Sequence, residues 1–334
     1  MRLRFKPPQE QRQALHAQLA RLRQPEATLE LLRPGLPGGF EPAHVDCAVQ
    51  SVHPDRFVVQ VRVCSSAGEQ RVYALKVYSD DFGEQVWAHC RALAEHSPPD
   101  QDVLCLPTRY IALERTLVFP WVDGLFLSEI VDERKPALLR RAARVAADLH
   151  RLAVVPEQPT TAQMILDDTL ARCGRLRDRW PVTTPLVEPL VDSLQETFAS
   201  LDSSDPTPIH GDLAAGQFLW TGERLVLLDF DLFGYADPAY DAGHFLAQLE
   251  RRCLLDATLP PDAGRWLSCF RDEYLAAMPS VSPRNVWFFH GLHLIRKIYT
   301  VCRRQPIEGP TLVHPLAVRA QAALEEAVAP RIAT

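Results

Sequence analysis

The chain has 334 residues, of which 47% are hydrophobic and 23% charged, a composition typical of a soluble globular protein long enough for two lobes. Its formal net charge of −6 argues against nucleic acid as a partner and is compatible with a cationic substrate, as with any soluble protein. Without a membrane-spanning stretch, a secretory signal or paired cysteine spacing, the sequence predicts a cytoplasmic protein with reduced thiols and no membrane partner, and it leaves the oligomeric state open.

The first third of the chain reads as a helical segment followed by strands. Residues 8–32 carry leucines at helical spacing, and the Pro- and Gly-rich run 34–39 ends that segment. Alternating apolar residues then predict a hairpin with strands at 57–63 and 71–78. We therefore expect a helical extension over 1–33 and a β-rich N-terminal lobe over 34–121.

Lys76 lies in the second strand of this hairpin. Only four of the 36 basic residues are lysines, so a lysine within an apolar strand indicates a need for a compact ammonium group. Pairing with nucleotide phosphates is such a need. The alternative is a lysine at the edge of the sheet with its head group in solvent.

The middle and the end of the chain are mainly helical. Residues 111–119 predict two short strand segments, which Pro120 and Gly124 bring to an end. Apolar residues at helical spacing follow over 137–152 and 242–249, and long helices are predicted over 285–299 and 315–334.

Two acids with different surroundings lie close together between residues 209 and 241. Asp212 is in a loop before the apolar run 218–220, and a second strand after the turn at 221–224 ends at Asp229. A strand–turn–strand unit brings its ends together, so the loop with Asp212 and Gln217 is expected to meet Asp229. Phosphoryl transfer uses one carboxylate to orient the attacking hydroxyl and others to hold a metal ion.

These residues carry a resemblance to a known family. The segments 210–212 (His-Gly-Asp) and 229–231 (Asp-Phe-Asp), with Gln217 between them and Asp237 and Asp241 after them, resemble the catalytic and metal-binding loops of the aminoglycoside phosphotransferase/choline kinase-like family. The resemblance implies an α+β, two-lobed protein-kinase-like fold, with a small β-rich N-lobe and a larger helical C-lobe over 122–334. It also implies ATP-dependent transfer of the γ-phosphoryl group to a hydroxyl of a small molecule, either a metabolite or an aminoglycoside-like antibiotic.

The resemblance assigns roles around the phosphates. Asp212 is the expected catalytic residue, which orients and deprotonates the acceptor hydroxyl. Asp229 is expected to bind Mg²⁺ with help from Gln217, which stands where the family has asparagine, and Asp231 to reach a second metal ion. Lys76 is expected to contact the ATP phosphates and to pair with Glu84 on the following helix.

Two further regions complete the expected site. Phe119, Trp121 and Val122 are expected to contact adenine at the hinge between the lobes, although a core strand ending in a turn fits that local sequence equally well. Helices near the C terminus wall the acceptor pocket in the family, so the basic and aromatic residues of 285–299 are the first candidates for specificity: Trp287, His290, His293 and Arg296.

Two other functions compete with a small-molecule kinase. A non-catalytic pseudokinase would tolerate Gln217 and the glycine-free strand turn at 51–56, but the presence of both Asp212 and Asp229 favours an enzyme. A kinase for protein side chains is disfavoured because the glycine-rich loop and the Ala-Pro-Glu motif are absent.

Overall fold

The computed structural model describes residues 7–97, 103–155, 159–260 and 262–329. Within that part the chain forms two compact units. The N-terminal unit extends to Asp123 and also contains the short segment Leu228–Asp231, whereas the C-terminal unit contains Gly124–Leu227 and the residues from Leu232 onward. Residues 228–231 thus belong to the N-terminal unit although the strand before them belongs to the other one.

The N-terminal unit is built on a five-stranded antiparallel sheet with strand order β1-β2-β3-β5-β4. Its elements in chain order are α1 (Gln9–Leu22), α2 (Pro25–Leu32), β1 (Pro42–Val52), β2 (Arg56–Ser65), β3 (Gln70–Tyr78), α3 (Phe82–His96), β4 (Arg109–Ile111) and β5 (Thr116–Pro120).

The two N-terminal helices share a core with this sheet. On β2 the alternating residues Val59, Val61 and Val63 are fully buried, as expected for a strand with one face toward a core. Leucines from α1 and α2, among them Leu15 and Leu32, are buried in the same cluster. The helical extension predicted for residues 1–33 is therefore, in its described part, an integral layer of the N-terminal unit.

The C-terminal unit is mainly helical, with one three-stranded and one two-stranded sheet. Its elements are β6 (Leu125–Phe126), α4 (Lys135–His150), α5 (Ala162–Arg179), α6 (Thr184–Phe198), β7 (Thr207–Ile209), β8 (Phe218–Trp220), β9 (Leu225–Leu227), β10 (Gly234–Ala236), α7 (Ala239–Leu255), α8 (Arg265–Ala277), α9 (Pro283–Arg304) and α10 (Val313–Val328).

Close packing of α7 against α9 forms the centre of this unit. A Cβ atom at Gly243 of α7 would lie 2.6 Å from the backbone nitrogen of His290, so only glycine lets the two helices approach this closely. The aromatic rings of Phe245 and Phe270 stack on the other side of α7, with their centroids 3.8 Å apart. Both helices are consequently buried over most of their length.

The predicted hairpin at 218–228 is present as β8 and β9, joined by a turn in which Thr221 N–H donates to Arg224 O. A sheet-rich N-terminal region followed by a helical C-terminal region confirms the predicted α+β class. In the portion of the chain that the structure describes, no helix combines the length and the apolar character needed to cross a membrane.

Candidate active site

The loop that carries Asp212 is held by a buried carboxylate. Asp241, in the first turn of α7, accepts hydrogen bonds from the backbone N–H groups of His210 (2.6 Å) and Gly211 (2.9 Å). Its side chain is completely buried and also lies 3.2 Å from Nε2 of His150. Two amide donors and an imidazole thus fix the backbone immediately before Asp212.

Gly211 gives the loop its sharp change of direction. Its φ of 81° lies in the left-handed region, and a Cβ at this position would overlap the carbonyl oxygen of Leu232. His210 adds a third support, because its Nδ1 accepts a hydrogen bond from the N–H of Asp212 at 3.3 Å. The histidine therefore orients the loop backbone, and Asp212 follows in a fixed conformation.

Asp212 itself is partly open to solvent, with 38% of its side chain exposed. Oδ1 of Asp212 lies 3.7 Å from Nε2 of His244, a residue of α7. Nδ1 of His244 lies 3.1 Å from the carbonyl oxygen of Leu213, to which it must donate a proton. Burial holds the pKa of His244 well below its usual value, so the ring is neutral and its Nε2 carries a lone pair.

The acids Asp229 and Asp231 lie in the N-terminal unit and surround Lys76. Nζ of Lys76 donates to Oδ1 of Asp229 at 2.7 Å and to Oδ1 of Asp231 at 2.6 Å. Burial lowers the pKa of Lys76, but the two carboxylates more than offset this effect, and the net shift is upward. Lys76 is therefore a charged ammonium held between two carboxylates.

These two acids differ in their surroundings. Asp229 is 26% exposed at its side chain and has a φ of 64°, a left-handed conformation that residues other than glycine seldom adopt. Asp231 is buried, accepts a hydrogen bond from the hydroxyl of Tyr78 at 2.7 Å and lies 3.5 Å from Nε of Arg56. Asp229 is thus the more accessible carboxylate, and Asp231 is placed as a counter-ion of Lys76.

The structure corrects the predicted pairing of Lys76 with Glu84. The buried face of α3 consists of Gly83, Val86, Cys90 and Leu93. Glu84 follows Gly83 by about 100° around the helix and is exposed to solvent. Burial raises the pKa of Cys90 to about 12, whereas the nearby Lys76 lowers it, so a neutral thiol lies close to Lys76 on this helix. The negative charges opposite Lys76 come instead from residues 229–231.

The three residues predicted to contact adenine lie at the end of β5. Phe119 is paired with Ala74 of β3, and the N–H of Trp121 donates to Val72 O at 3.1 Å. The indole of Trp121 donates to Asp123 at 2.8 Å. Phe119, Trp121 and Val122 are half-buried, and the amide of Trp121 is already used by the sheet.

The residues expected to bind a metal ion have suitable oxygen atoms. Among the described residues, histidine, cysteine, aspartate and glutamate form no group of three that could hold a metal ion. Asp229 and Asp231 nevertheless already bind one cation, the ammonium of Lys76, and carboxylate oxygens suit Mg²⁺. Gln217, half-buried immediately before β8, offers an amide oxygen of the same hard type. This chemistry fits Mg²⁺, with Asp229 better placed than Asp231.

The basic and aromatic residues of α9 that were candidates for specificity lie in two different surroundings. Trp287 and His290 line a cavity of about 490 Å³ together with Glu250 and Arg271. His293 instead packs against the ring of His244, with the ring centroids 4.6 Å apart.

Sequence reasoning overlooked two neighbours of Asp212, namely His244 and Lys297. Nζ of Lys297 lies 3.1 Å from Nε2 of His244. The rarity of lysine, which identified Lys76, could have identified Lys297 as well.

Comparison with known proteins agrees with this geometry. The model of the phosphotransferase enzyme family matches residues 67–283. No curated protein matches the chain. Among solved structures, a choline kinase from Cryptosporidium parvum has a TM-score of 0.63 at 11% identity, covering 90% of this chain and 95% of the other.

Two further structures have the same fold at low identity. A thermostable mutant of the aminoglycoside phosphotransferase APH(4)-Ia, in a ternary complex with AMP-PNP and hygromycin B, has a TM-score of 0.60 at 14% identity and covers 86% of this chain and 96% of its own. A choline/ethanolamine kinase family protein from Mesorhizobium loti has a TM-score of 0.56 at 14% identity, with coverages of 93% and 94%. The family match spans well over half of the chain and confirms the resemblance of the Asp212 and Asp229 segments. The chain therefore belongs to the phosphotransferase enzyme family.

Proposed function

We propose that the protein is a kinase that transfers the γ-phosphoryl group of ATP to a hydroxyl group of a small molecule. The observation that carries this proposal is the contact of Lys76 with Asp229 and Asp231, some 150 positions later in the chain. It joins the lysine expected at the nucleotide phosphates to the acid expected at the metal ion. One structural neighbour was solved with AMP-PNP, an adenine nucleotide analogue, which supports ATP as the donor.

The reaction assigns the proton to Asp212. The acceptor hydroxyl oxygen forms a bond to the γ-phosphorus, and the bond from that phosphorus to the β–γ bridging oxygen breaks, so that ADP leaves. The proton of the hydroxyl passes to the carboxylate of Asp212. Because the loop before Asp212 is held by Asp241 and by His210, the carboxylate is oriented before the acceptor arrives.

The other residues bind the donor. We assign Asp229 to Mg²⁺, which neutralises phosphate charge when bound, and Gln217 as a second oxygen donor for that ion. Lys76 would bind the nucleotide phosphates, and Asp231 would hold Lys76 in position. We keep Phe119, Trp121 and Val122 as the residues proposed to contact adenine.

The test is ADP release from Mg·ATP with pools of hydroxylated metabolites and aminoglycosides as acceptors. Substitution of Asp212 by asparagine preserves its shape but removes the base, so turnover should fall by about 10²- to 10⁴-fold while Mg·ATP affinity, measured by calorimetry, is retained. Asp178→Asn, at an exposed position of α5, is the matched control and should have no effect. If the wild type binds Mg·ATP but releases no ADP with any pool, the protein is a pseudokinase and the proposal is wrong.

A further inference from the structure

One face of α9 places three nitrogen-bearing side chains beside the surroundings of Asp212. His293, Arg296 and Lys297 are three and four positions apart, a spacing that puts them on one side of a helix. Nζ of Lys297 and Oδ1 of Asp212 both approach Nε2 of His244, at 3.1 and 3.7 Å. This face of α9 thus adjoins the carboxylate that is proposed to receive the acceptor proton.

Lys297 bonds to a neutral group, and the carboxylate of Asp212 acts on it as a neighbouring charge. Its Nζ lies 3.1 Å from Nε2 of His244. Since Nδ1 of His244 donates to Leu213 O, Nε2 must accept from the ammonium of Lys297. A neutral imidazole supplies a hydrogen bond but no charge. Arg251, Arg296 and Arg304 add positive charge around Lys297 that Asp212 offsets only in part, which favours an anionic ligand here.

Arg296 has too few acceptors for its donors. It forms an ion pair with Asp168, and the same carboxylate oxygen accepts from Nε of Arg172 at 3.0 Å. One carboxylate therefore serves two guanidinium groups. Arg296 is 5% exposed, NH1 donates to the hydroxyl of Tyr240 at 3.3 Å, and Nε is buried without a hydrogen-bond partner.

His293 adds a third buried nitrogen. The residue is 2% exposed, and its Nε2 has no hydrogen-bond partner. The ring lies 4.6 Å from the rings of both Tyr240 and His244. Burial and the neighbouring His244, Arg296 and Lys297 hold the pKa of His293 well below its usual value, so the ring is neutral and offers a hydrogen bond.

We propose that His293, Arg296 and Lys297 form an anion-binding subsite beside Asp212, and that the acceptor of the phosphoryl group is a hydroxylated acid. The subsite would bind a carboxylate or phosphate of the acceptor and place its hydroxyl at Asp212. This inference rests on the proposed kinase function. A cationic acceptor, such as an amino sugar or a quaternary ammonium alcohol, would meet positive charge at this position and bind poorly.

The charges around Lys297 determine how this binding depends on pH. Burial lowers the pKa of Lys297 to about 7; Asp212 opposes this shift, and Arg251 of α7 and Arg296 and Arg304 of α9 add to it. His244 and His293, which also face this group, are neutral. The ammonium is consequently present below about pH 7 and lost above it, so binding of an acid should weaken as the pH rises through neutrality.

Lysine side-chain NMR tests the subsite directly, because the chain has only four lysines. In the full chain labelled with ¹³C at lysine Cε, Lys→Arg variants assign the four signals. At about pH 6.5, inorganic sulfate and glycerate should shift the Lys297 signal saturably, whereas glycerol and choline should not. His293→Gln and Arg296→Gln should each weaken the response, and Arg303→Met, an exposed change on the same helix, should leave it intact. The proposal is overturned if the chemical shift of the Lys297 signal does not change with either anion, or if it changes with choline.

Kinetics then separate the two possible sources of the bound anion. With an acidic acceptor, Lys297→Met should raise the acceptor KM by about tenfold or more and leave the KM for ATP unchanged, because one charge-assisted contact is lost. If kcat falls while the acceptor KM is unchanged, the anion is the transferred phosphoryl group, and the assignment of an acidic acceptor is wrong. Preference for cationic acceptors also overturns the subsite while the kinase function stands. Anion binding without ADP release for any acceptor refutes the kinase function instead.

Discussion

Lys76 is the residue on which the proposed nucleotide site depends most. It is buried at 8% exposure, and its charge is balanced by Asp229 and Asp231. A buried ion pair of this kind is costly to break because removal of one partner leaves an uncompensated charge. The same residue therefore contributes both to stability and, in our proposal, to phosphate binding.

Lys76→Met should lower the free energy of unfolding by about 3–5 kcal/mol, because Asp231 would stay buried with one cation fewer. It should also lower kcat/KM for ATP by more than tenfold. Urea unfolding and steady-state kinetics measure the two effects. Arg62→Met, an exposed change on β2, is the control and should alter neither quantity. Unchanged stability of Lys76→Met would contradict the burial of the pair.

At the level of elements, the loop before Asp212 depends on a short turn and on the start of α7. Gly211 has a left-handed φ and faces the carbonyl of Leu232. Asp241 accepts hydrogen bonds from the backbone N–H groups of His210 and Gly211. Gly222, in the turn between β8 and β9, also has a left-handed φ, at 101°, but a Cβ there would meet only open space. A comparison of substitutions at the two glycines therefore distinguishes the cost of backbone strain from the cost of steric overlap.

Gly222→Ala should cost about 1–2 kcal/mol of stability and leave turnover unchanged, since only the backbone conformation is strained. Gly211→Ala carries the same strain together with an overlap with backbone, so it should cost more and reduce kcat strongly by displacing Asp212. Thermal unfolding and ADP release measured on both variants provide the comparison. Equal effects of the two substitutions would show that the overlap with Leu232 does not matter.

At the level of the whole molecule, buried basic groups determine how stability changes with pH. Lysine has an ordinary pKa of 10.5, and burial lowers the pKa of Lys297 to about 7 and that of Lys135 to about 8. Above these values the unfolded chain binds more protons than the folded chain, so stability rises with pH. His244 and His293 also make the stability rise with pH below about pH 6.5. They stay neutral in the folded chain and become protonated in the unfolded chain.

We therefore expect the free energy of unfolding to rise continuously from about pH 5.5 to about pH 8.5. Lys297→Met should flatten the upper half of this range, whereas Arg303→Met should leave the slope unchanged. Denaturant unfolding at several pH values measures the curve. If the slope between pH 7 and 8.5 is the same in Lys297→Met as in the wild type, Lys297 is charged and well compensated in the folded state.

The sequence by itself determined the features that depend on residues close together in the chain, namely strands, turns and motif spacing. The alternation of β2 and β3 and the hairpin of β8 and β9 are short-range patterns, so they predicted these strands and the positions of Asp212 and Asp229 relative to them. The motifs between His210 and Asp241 carried the resemblance to the family, which implied the fold. The roles proposed for these two acids are predictions that follow from that resemblance.

Contacts between distant parts of the chain were decided only by the tertiary structure. Glu84 is near Lys76 in sequence, yet α3 turns it toward solvent, and residues 229–231 supply the counter-ions instead. Lys297 meets the surroundings of Asp212 because α9 packs closely on α7 at Gly243. A helical period shows which residues share a face of one element, but the partner of that face depends on how the elements pack, and charge compensation across such contacts has no local signal.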